Sequence, residues 1–234
     1  MNILGIFARY PEPGKTKTRL AAKIGDKPAA DLYACCVRDL VSRLTQLTDQ
    51  LWIASTPDMP ESNKWFQSLV TIQEEDQPKL LNQPEGDLGQ RVDWFFRKAI
   101  DQNNGPAVLI GTDSPDLPSS RITQAFELLN GGIADVVTVP AADGGYVLIG
   151  MAGKPGGLFD KIRWSSPFTL LDTIKAVDSA GLRLSVLPTW YDIDHVENLG
   201  TLAALQEHPG QTEAASCQLT AAYLKRFIEE FREG

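Results

Sequence analysis

What this chain can fold into is narrowed most by its N-terminal stretch, where a short apolar run, Met1 to Ala8, feeds directly into Arg9-Tyr10-Pro11-Glu12-Pro13-Gly14-Lys15-Thr16-Lys17-Thr18-Arg19-Leu20. The run reads as a buried strand. Pro11, Pro13 and Gly14 forbid its continuation as strand or helix, so the backbone must turn, and a helix can restart over Thr16 to Ile24 once the prolines are passed. Five basic residues, Arg9, Lys15, Lys17, Arg19 and Lys23, crowd into these positions in a chain whose net charge is −8. Positive charge at the end of a first strand commonly holds phosphate, because backbone N–H groups of the turn and helix start add to the side-chain charge.

Gly14-Lys15-Thr16 has the ending of a P-loop, but that motif requires a glycine five positions before Gly14, where this chain has Arg9. A solvated basic turn and a phosphate-binding loop of another kind remain, and the rest of the chain must separate them.

A chain of 234 residues accommodates one α/β domain with some elaboration, and no linker or repeat divides it, so residues 1–234 are expected to form a single domain. Hydrophobic content of 43% and charged content of 22% are those of an ordinary globule. No run reaches the length of a membrane span, and the N-terminal run is short and lacks a basic lead, so a cytoplasmic protein is expected. The acidic balance argues against nonspecific binding to nucleic acid or anionic membrane, while leaving a small anionic ligand compatible with basic residues gathered at one site. Cys35, Cys36 and Cys217 have neither a disulfide framework nor a metal spacing and are expected to be reduced.

Along the chain, helical spacing of Ala29, Leu32, Tyr33, Cys36, Leu40, Leu44 and Leu47 predicts a helix over Pro28–Thr48. Leu51–Ser55 reads as a strand, Glu61–Leu69 as a short helix and Lys79–Leu81 as a further strand. Gly86-Asp87-Leu88-Gly89 opens a helix to about Asp101. There the glycines admit a ligand close to the backbone, or Asp87 is simply the helix cap. Pro106–Gly111 is a continuous apolar strand of the kind buried in a parallel sheet. It ends in Thr112-Asp113-Ser114-Pro115-Asp116, which puts Asp113 where open α/β sheets place their ligands. Asp113 therefore reads as a metal or substrate ligand, and Asp116 or Ser119 as a turn or cap residue before a helix over Ser120–Leu129.

The strand Asp135–Val139 leads into Asp143-Gly144-Gly145, a hairpin turn whose returning strand begins at Tyr146. Trp164-Ser165-Ser166-Pro167 opens a helix to about Ala180, and Leu182–Leu187 alternates as a strand. In the extended Tyr191-Asp192-Ile193-Asp194, two carboxylates two residues apart share a face, a natural partner for a divalent ion. His195 and His208 lack partners at zinc spacing, and no Ser/His/Asp order supports a hydrolase. Gln211–Phe231 reads as a terminal amphipathic helix with Leu219, Tyr223, Phe227 and Phe231 on one face.

Together these blocks resemble the nucleotide-diphospho-sugar transferase superfamily, most of all a bacterial subgroup of transferases. The matching residues are Phe7-Ala8-Arg9 with Pro11, Pro13-Gly14 and Lys17-Thr18-Arg19-Leu20; Gly86-Asp87-Leu88-Gly89 with Arg91; Gly111-Thr112-Asp113-Ser114-Pro115-Asp116-Leu117; Asp143-Gly144-Gly145-Tyr146 with Leu148-Ile149-Gly150; Trp164-Ser165; and Tyr191-Asp192-Ile193-Asp194. Ser114 stands where the subgroup usually has cysteine. His195-Val196-Glu197-Asn198-Leu199 replaces its Thr-Pro-Glu-Asp-Leu, and Lys15 falls at a variable position.

The resemblance implies a three-layer αβα fold with a mostly parallel central sheet, that of type A glycosyltransferases. It implies that Ala8, Arg9, Gly14, Lys17 and Arg19, with Gly86, Asp87 and Gly89, meet a nucleotide and its phosphates. Asp113 and Asp194 would hold Mg²⁺ or Mn²⁺, Gly144, Gly145, Tyr146 and Trp164 would line the substrate site, and Asp143 would orient or deprotonate an acceptor hydroxyl. The implied activity is glycosyl transfer from a nucleotide-diphospho-sugar. Nucleotidyl transfer from a nucleoside triphosphate, which shares the fold, and nucleotide binding without catalysis are the alternatives.

Overall fold

The computed structural model describes residues 1–70, 77–206 and 216–233. Its centre is β1 (Ile3–Arg9), paired in parallel with β2 (Gln50–Thr56) on one side and β4 (Ala107–Ile110) on the other. β3 (Lys79–Asn82) adds to β2. Beyond β4 come β6 (Tyr146–Met151), β5 (Val136–Pro140) and β7 (Leu184–Val186), giving the order β3-β2-β1-β4-β6-β5-β7. Only β6 is antiparallel to its neighbours, as the Asp143-Gly144-Gly145 hairpin requires.

Side-chain alternation along β1 divides the core between two faces of the sheet. Leu4 and Ile6 pack with α2 (Asp26–Leu44), α3 (Pro60–Val70) and α5 (Ser119–Asn130). Ile3 and Phe7 pack with α4 (Leu88–Asn103) and α6 (Thr169–Ser179). Gly5 shares the second face, and a Cβ there would lie 2.2 Å from the Phe95 ring. The absent side chain lets that ring lie against β1, edge-on to Phe7 and Trp52 at centroid distances of 5.9 and 6.1 Å. Phe95 is fully buried, worth about 1.5–3 kcal/mol relative to exposure.

A third, smaller core forms where α1 (Thr18–Ile24), α7 (Val196–Gln206) and α8 (Gln218–Glu233) gather on the outer side of α2, joining Leu20, Leu32, Leu202 and Leu224. Asp39, buried in α2, caps α8 from outside. Its carboxylate accepts from Leu219 N at 3.1 Å, Thr220 N at 2.8 Å and Thr220 Oγ1 at 2.6 Å, satisfying donors that a helix start leaves open. This clamp fixes the base on which the residues before α7 rest.

The expected elements are present with shifted ends. The long second helix starts at Asp26, because Pro28 suits a first helical turn, and stops at Leu44 rather than Thr48. The helix after Pro167 starts at Thr169. The terminal helix starts at Gln218, while residues 211–215 of its expected span, like His208, lie outside the described residues. Asp116, read as a turn or cap residue, does lie in the turn after β4, but it does not cap α5, whose N-cap is Pro118. The aspartate is fully buried and accepts from the Trp190 indole at 3.4 Å and, through a shorter contact, from the Tyr191 hydroxyl.

Candidate functional site

In a sheet of this topology the ends of β1, β4 and β5 and the beginning of the reversed β6 meet at one edge. The chain from Trp190 to Asp194 crosses that edge. Trp190 pairs with Ala141 just beyond β5 and donates its N–H to Pro140 O at 2.9 Å, and Ile193 N donates to Asp113 O at 2.7 Å. The buried Ser114 hydroxyl donates to Tyr191 O at 2.7 Å. These bonds hold the loop carrying Asp113 against the segment carrying Asp192 and Asp194. Across the edge opens a cleft of about 670 Å³, within the range of about 300–1,000 Å³ common for small-molecule sites.

Ala8, Arg9, Lys17, Arg19, Asp113, Asp143, Gly145, Tyr146, Trp164 and Asp194 line this cleft. Lys17 joins two of its carboxylates at one wall. The ammonium lies 2.7 Å from Asp113 Oδ1 and 2.8 Å from Asp194 Oδ1, and donates to Ile193 O at 2.6 Å. Only 8% of the Lys17 side chain is exposed. Burial pushes its pKa down, but the charges and hydrogen bonds of Asp113 and Asp194 outweigh burial and hold it above the usual lysine value. Burial likewise pushes Asp194 up, and Lys17 reverses this, leaving the carboxyl below its ordinary range. Lys17 also has φ 51°, a left-handed backbone that costs a non-glycine residue about 1–2 kcal/mol. Three contacts to a buried ammonium offset that strain.

Arg19 is more open. Its guanidinium lies 3.5 Å from the other oxygen of Asp194, with 68% of the side chain exposed. The Arg9 guanidinium donates to Lys15 O at 3.2 Å, bracing the proline-bearing loop, while Arg9 N donates to the buried hydroxyl of Tyr33 at 2.9 Å. That hydroxyl also bonds Thr112 Oγ1 at 2.7 Å, so α2 joins the loops after β1 and β4. Burial, and then the charge of Asp113, push Tyr33 up to about 12.

Asp143 is exposed and accepts from Gly145 N at 2.9 Å. Gly144 faces away from the cleft with φ 90°. A Cβ there would meet Pro167 O at 2.3 Å, and Gly144 O accepts from Leu170 N at 2.9 Å, so the hairpin seats directly on the start of α6. Gly14 occupies a turn with φ 77° outside the cleft lining. Asp87 is the N-cap of α4. It forms a reciprocal capping box with Gln90, accepting at 2.9 Å and donating its own N–H at 3.0 Å. Gly86 and Gly89 do not line the cleft either: Gly86 O accepts from Arg91 Nε at 3.1 Å, and Gly89 backs the Trp164 indole, which a Cβ would meet at 2.5 Å.

Several cleft residues are not singled out as site residues from sequence, among them Tyr33, Thr112 and Arg91, whereas Asp192, read with Asp194 as a pair for a divalent ion, lines the cleft beside it. Burial, then the charges of Asp194 and Asp143, push Asp192 up. Its two-residue spacing from Asp194 is the signal that pairs the two in sequence. Tyr33 gave none, because its spacing on α2 is that of a core residue.

Residues 40–166 match the bacterial family DUF2064, described as "Uncharacterized protein conserved in bacteria". The chain belongs to that family. A crystal structure from Desulfovibrio desulfuricans G20, described as a "putative nucleotide-diphospho-sugar transferase", shares 30% identity over 97% of each chain, with a TM-score of 0.82. The fold is accordingly that of nucleotide-diphospho-sugar transferases. Two more distant structures share the fold alone. A cytidylyltransferase from Leptospira borgpetersenii is 14% identical over 99% of this chain and 94% of its own, with TM-score 0.57. CMP:2-keto-3-deoxy-manno-octonic acid synthetase, complexed with CTP, is 11% identical over 89% of this chain and 99% of its own, with TM-score 0.55. Among curated proteins, none matches.

This fold implies a divalent cation, and the donor chemistry can be tested directly. Among the described residues no three His, Cys, Asp or Glu side chains cluster as a ligand set. Yet two carboxylate oxygens and a backbone carbonyl already converge on one cation, the Lys17 ammonium. Oxygen-only donors with few protein ligands suit Mg²⁺ or Mn²⁺, which complete their shells with water and phosphate oxygens. The residues fit such an ion.

Proposed function

We propose that the protein is a transferase that uses an activated nucleotide, in the first place one that moves a sugar from a nucleotide-diphospho-sugar to an acceptor. The observation that carries this reading is the convergence of Lys17, from the loop after β1, with Asp113 and Asp194 at one wall of a nucleotide-sized cleft. The relative from Desulfovibrio desulfuricans supports the sugar-nucleotide assignment.

In this reading Arg9 and Arg19 meet the diphosphate as it enters, and Lys17 donates to the oxygens on which charge accumulates when the bond to the leaving group breaks. Asp113 and Asp194 would hold Mg²⁺ or Mn²⁺, whose contribution is to neutralise charge on the phosphates. Asp143, already oriented by Gly145 N, faces the open side and would align or deprotonate an acceptor hydroxyl. The Tyr146 and Trp164 rings, edge-to-face at 6.1 Å, form an apolar wall for the transferred group.

Nucleotidyl transfer from a nucleoside triphosphate is the second reading. It is favoured by the first loop, where the exposed side chains of Lys15, paired with Glu12, and Arg19, 3.5 Å from Asp194, stand beside Lys17 and would reach a third phosphate. A calorimetric panel of nucleoside triphosphates and nucleotide sugars, with and without Mg²⁺ or Mn²⁺, tests both readings on wild type and Asp113→Ala. Binding of a sugar nucleotide that needs metal and is lost in the variant, followed by release of nucleoside diphosphate on turnover, is the expected result. Preference for a triphosphate with release of pyrophosphate would replace the first reading by the second. Nucleotide binding without product under any acceptor would leave a binding protein.

A further inference from the structure

The cation that Asp113 and Asp194 hold is part of the protein itself. Lys17 Nζ sits within 2.8 Å of one oxygen from each carboxylate and donates a third bond to Ile193 O, in a position where its side chain is almost fully enclosed. An ammonium at hydrogen-bond distance and a divalent ion bound by the same two oxygens cannot coexist, both because their volumes overlap and because three positive charges would face two negative ones at a few ångströms. Meanwhile the Arg19 guanidinium, 3.5 Å from Asp194, and the Lys15 ammonium, paired with Glu12 at 2.9 Å, stand exposed at the mouth, where an incoming anion meets them before Lys17 moves.

We propose that Lys17 is an internal competitor for the divalent-cation site: in the nucleotide-free protein its ammonium occupies the Asp113–Asp194 pair, and a polyphosphate must draw it away before Mg²⁺ or Mn²⁺ can bind there. Lys17 thereby has two alternating partners, the carboxylates in the empty cleft and phosphate oxygens in the loaded one. The exchange keeps a strong carboxylate pair from filling with metal in the absence of substrate, and it makes metal and nucleotide binding mutually dependent. The inference rests on the reading of Asp113 and Asp194 as metal ligands.

The test uses Mn²⁺ alone, without nucleotide, followed by electron paramagnetic resonance of the free ion and by thermal unfolding. Wild type is expected to bind weakly. Lys17→Met should bind on the order of tenfold more tightly, the effect expected when one competing charge is removed at this range, and its melting temperature should rise with Mn²⁺ where that of wild type does not. Lys17→Arg, which keeps the charge, should stay as weak as wild type, and Asp113→Asn added to Lys17→Met should abolish the gain. If Lys17→Met does not fold, Lys17→Gln supplies the uncharged comparison. Wild type binding Mn²⁺ as tightly as Lys17→Met, or an equal gain in Lys17→Arg, would overturn the competition while leaving the metal site intact. No Mn²⁺ binding by any of these proteins, alone or with the nucleotide found in the calorimetric panel, would remove the metal site as well.

Discussion

Asp116 makes the positioning of the site measurable. It is fully buried in the loop after β4, and its carboxylate is the partner of the Tyr191 hydroxyl and of the Trp190 indole at 3.4 Å. The indole bond is near the outer limit of a hydrogen bond, so most of the anchoring energy lies in Tyr191, where a bond to a charged acceptor is worth about 1.5–3 kcal/mol. Tyr191→Phe is therefore expected to destabilise by about 2 kcal/mol, leaving a buried carboxylate with one weak partner. Asp116→Ala should cost about 2–3 kcal/mol, since it strands the hydroxyl. The two together should cost less than their sum, with a coupling of about 2 kcal/mol in a double-mutant cycle read by urea unfolding.

The pH dependence of the Asp116→Asn variant supplies a second check. Burial raises the folded pKa of Asp116, against the opposing bonds from Tyr191 and Trp190. A raised carboxyl contributes stability that is full below its unfolded value and is lost as pH rises through the folded one. The deficit of Asp116→Asn should accordingly be larger near pH 4 than at pH 7. A coupling below about 0.5 kcal/mol would refute the anchoring role. So would a deficit that grows with pH.

Three further perturbations probe other joints. Gly144→Ala forces a Cβ to within 2.3 Å of Pro167 O at φ 90°, so a loss of about 2 kcal/mol or more is expected in urea unfolding, whereas Gly153→Ala, with nothing within 4 Å, should stay within about 0.5 kcal/mol of wild type. Tyr33→Phe leaves the Arg9 N–H unpartnered beneath the first loop and should cost about 1–3 kcal/mol, with weaker nucleotide binding by calorimetry. Asp135, paired with Arg183 on an exposed surface, has its carboxyl depressed to about 2, first by the Arg183 side-chain hydrogen bonds. Its contribution is present above the unfolded value and lost as pH falls through about 2, so Asp135→Asn should lower stability by no more than about 1 kcal/mol at pH 7, and by less as the pH approaches 2 in an acid titration.

The parts of the fold that were legible in sequence are those fixed by local rules. β1 and β4 announced themselves as apolar runs closed by proline and glycine, and the reversed β6 followed from Asp143-Gly144-Gly145. Of the two readings of Asp87, the helix cap is the one the structure displays, in a capping box whose second member, Gln90, the sequence reading did not name. Asp116 escaped because an aspartate in Ser-Pro-Asp reads as a turn residue, and only the arrival of Trp190 and Tyr191 from the far end of the chain gives it buried donors. Tyr33 escaped for the opposite reason: its helical spacing marks it correctly as core, while its hydroxyl reaches β1 and the Thr112 loop.

Lys17 shows what local reading cannot reach and why it matters for the chemistry. Sequence grouped it with its basic neighbours as a phosphate contact and grouped Asp113 and Asp194 as metal ligands, yet the three meet because Ile193 N bonds Asp113 O and draws the two segments together. At the wall of the cleft the Lys17 ammonium and the exposed Arg19 guanidinium face Asp113, Asp194 and Asp192, the last pushed up by burial and by Asp194 and Asp143. A polyphosphate entering that cleft is attracted by Arg19 at the mouth and repelled by the carboxylates within. In the proposed function a divalent ion would resolve the conflict, held by the carboxylate oxygens once Lys17 turned to the phosphates. Under that proposal the same pairing that stabilises the empty site would set the order in which it is filled.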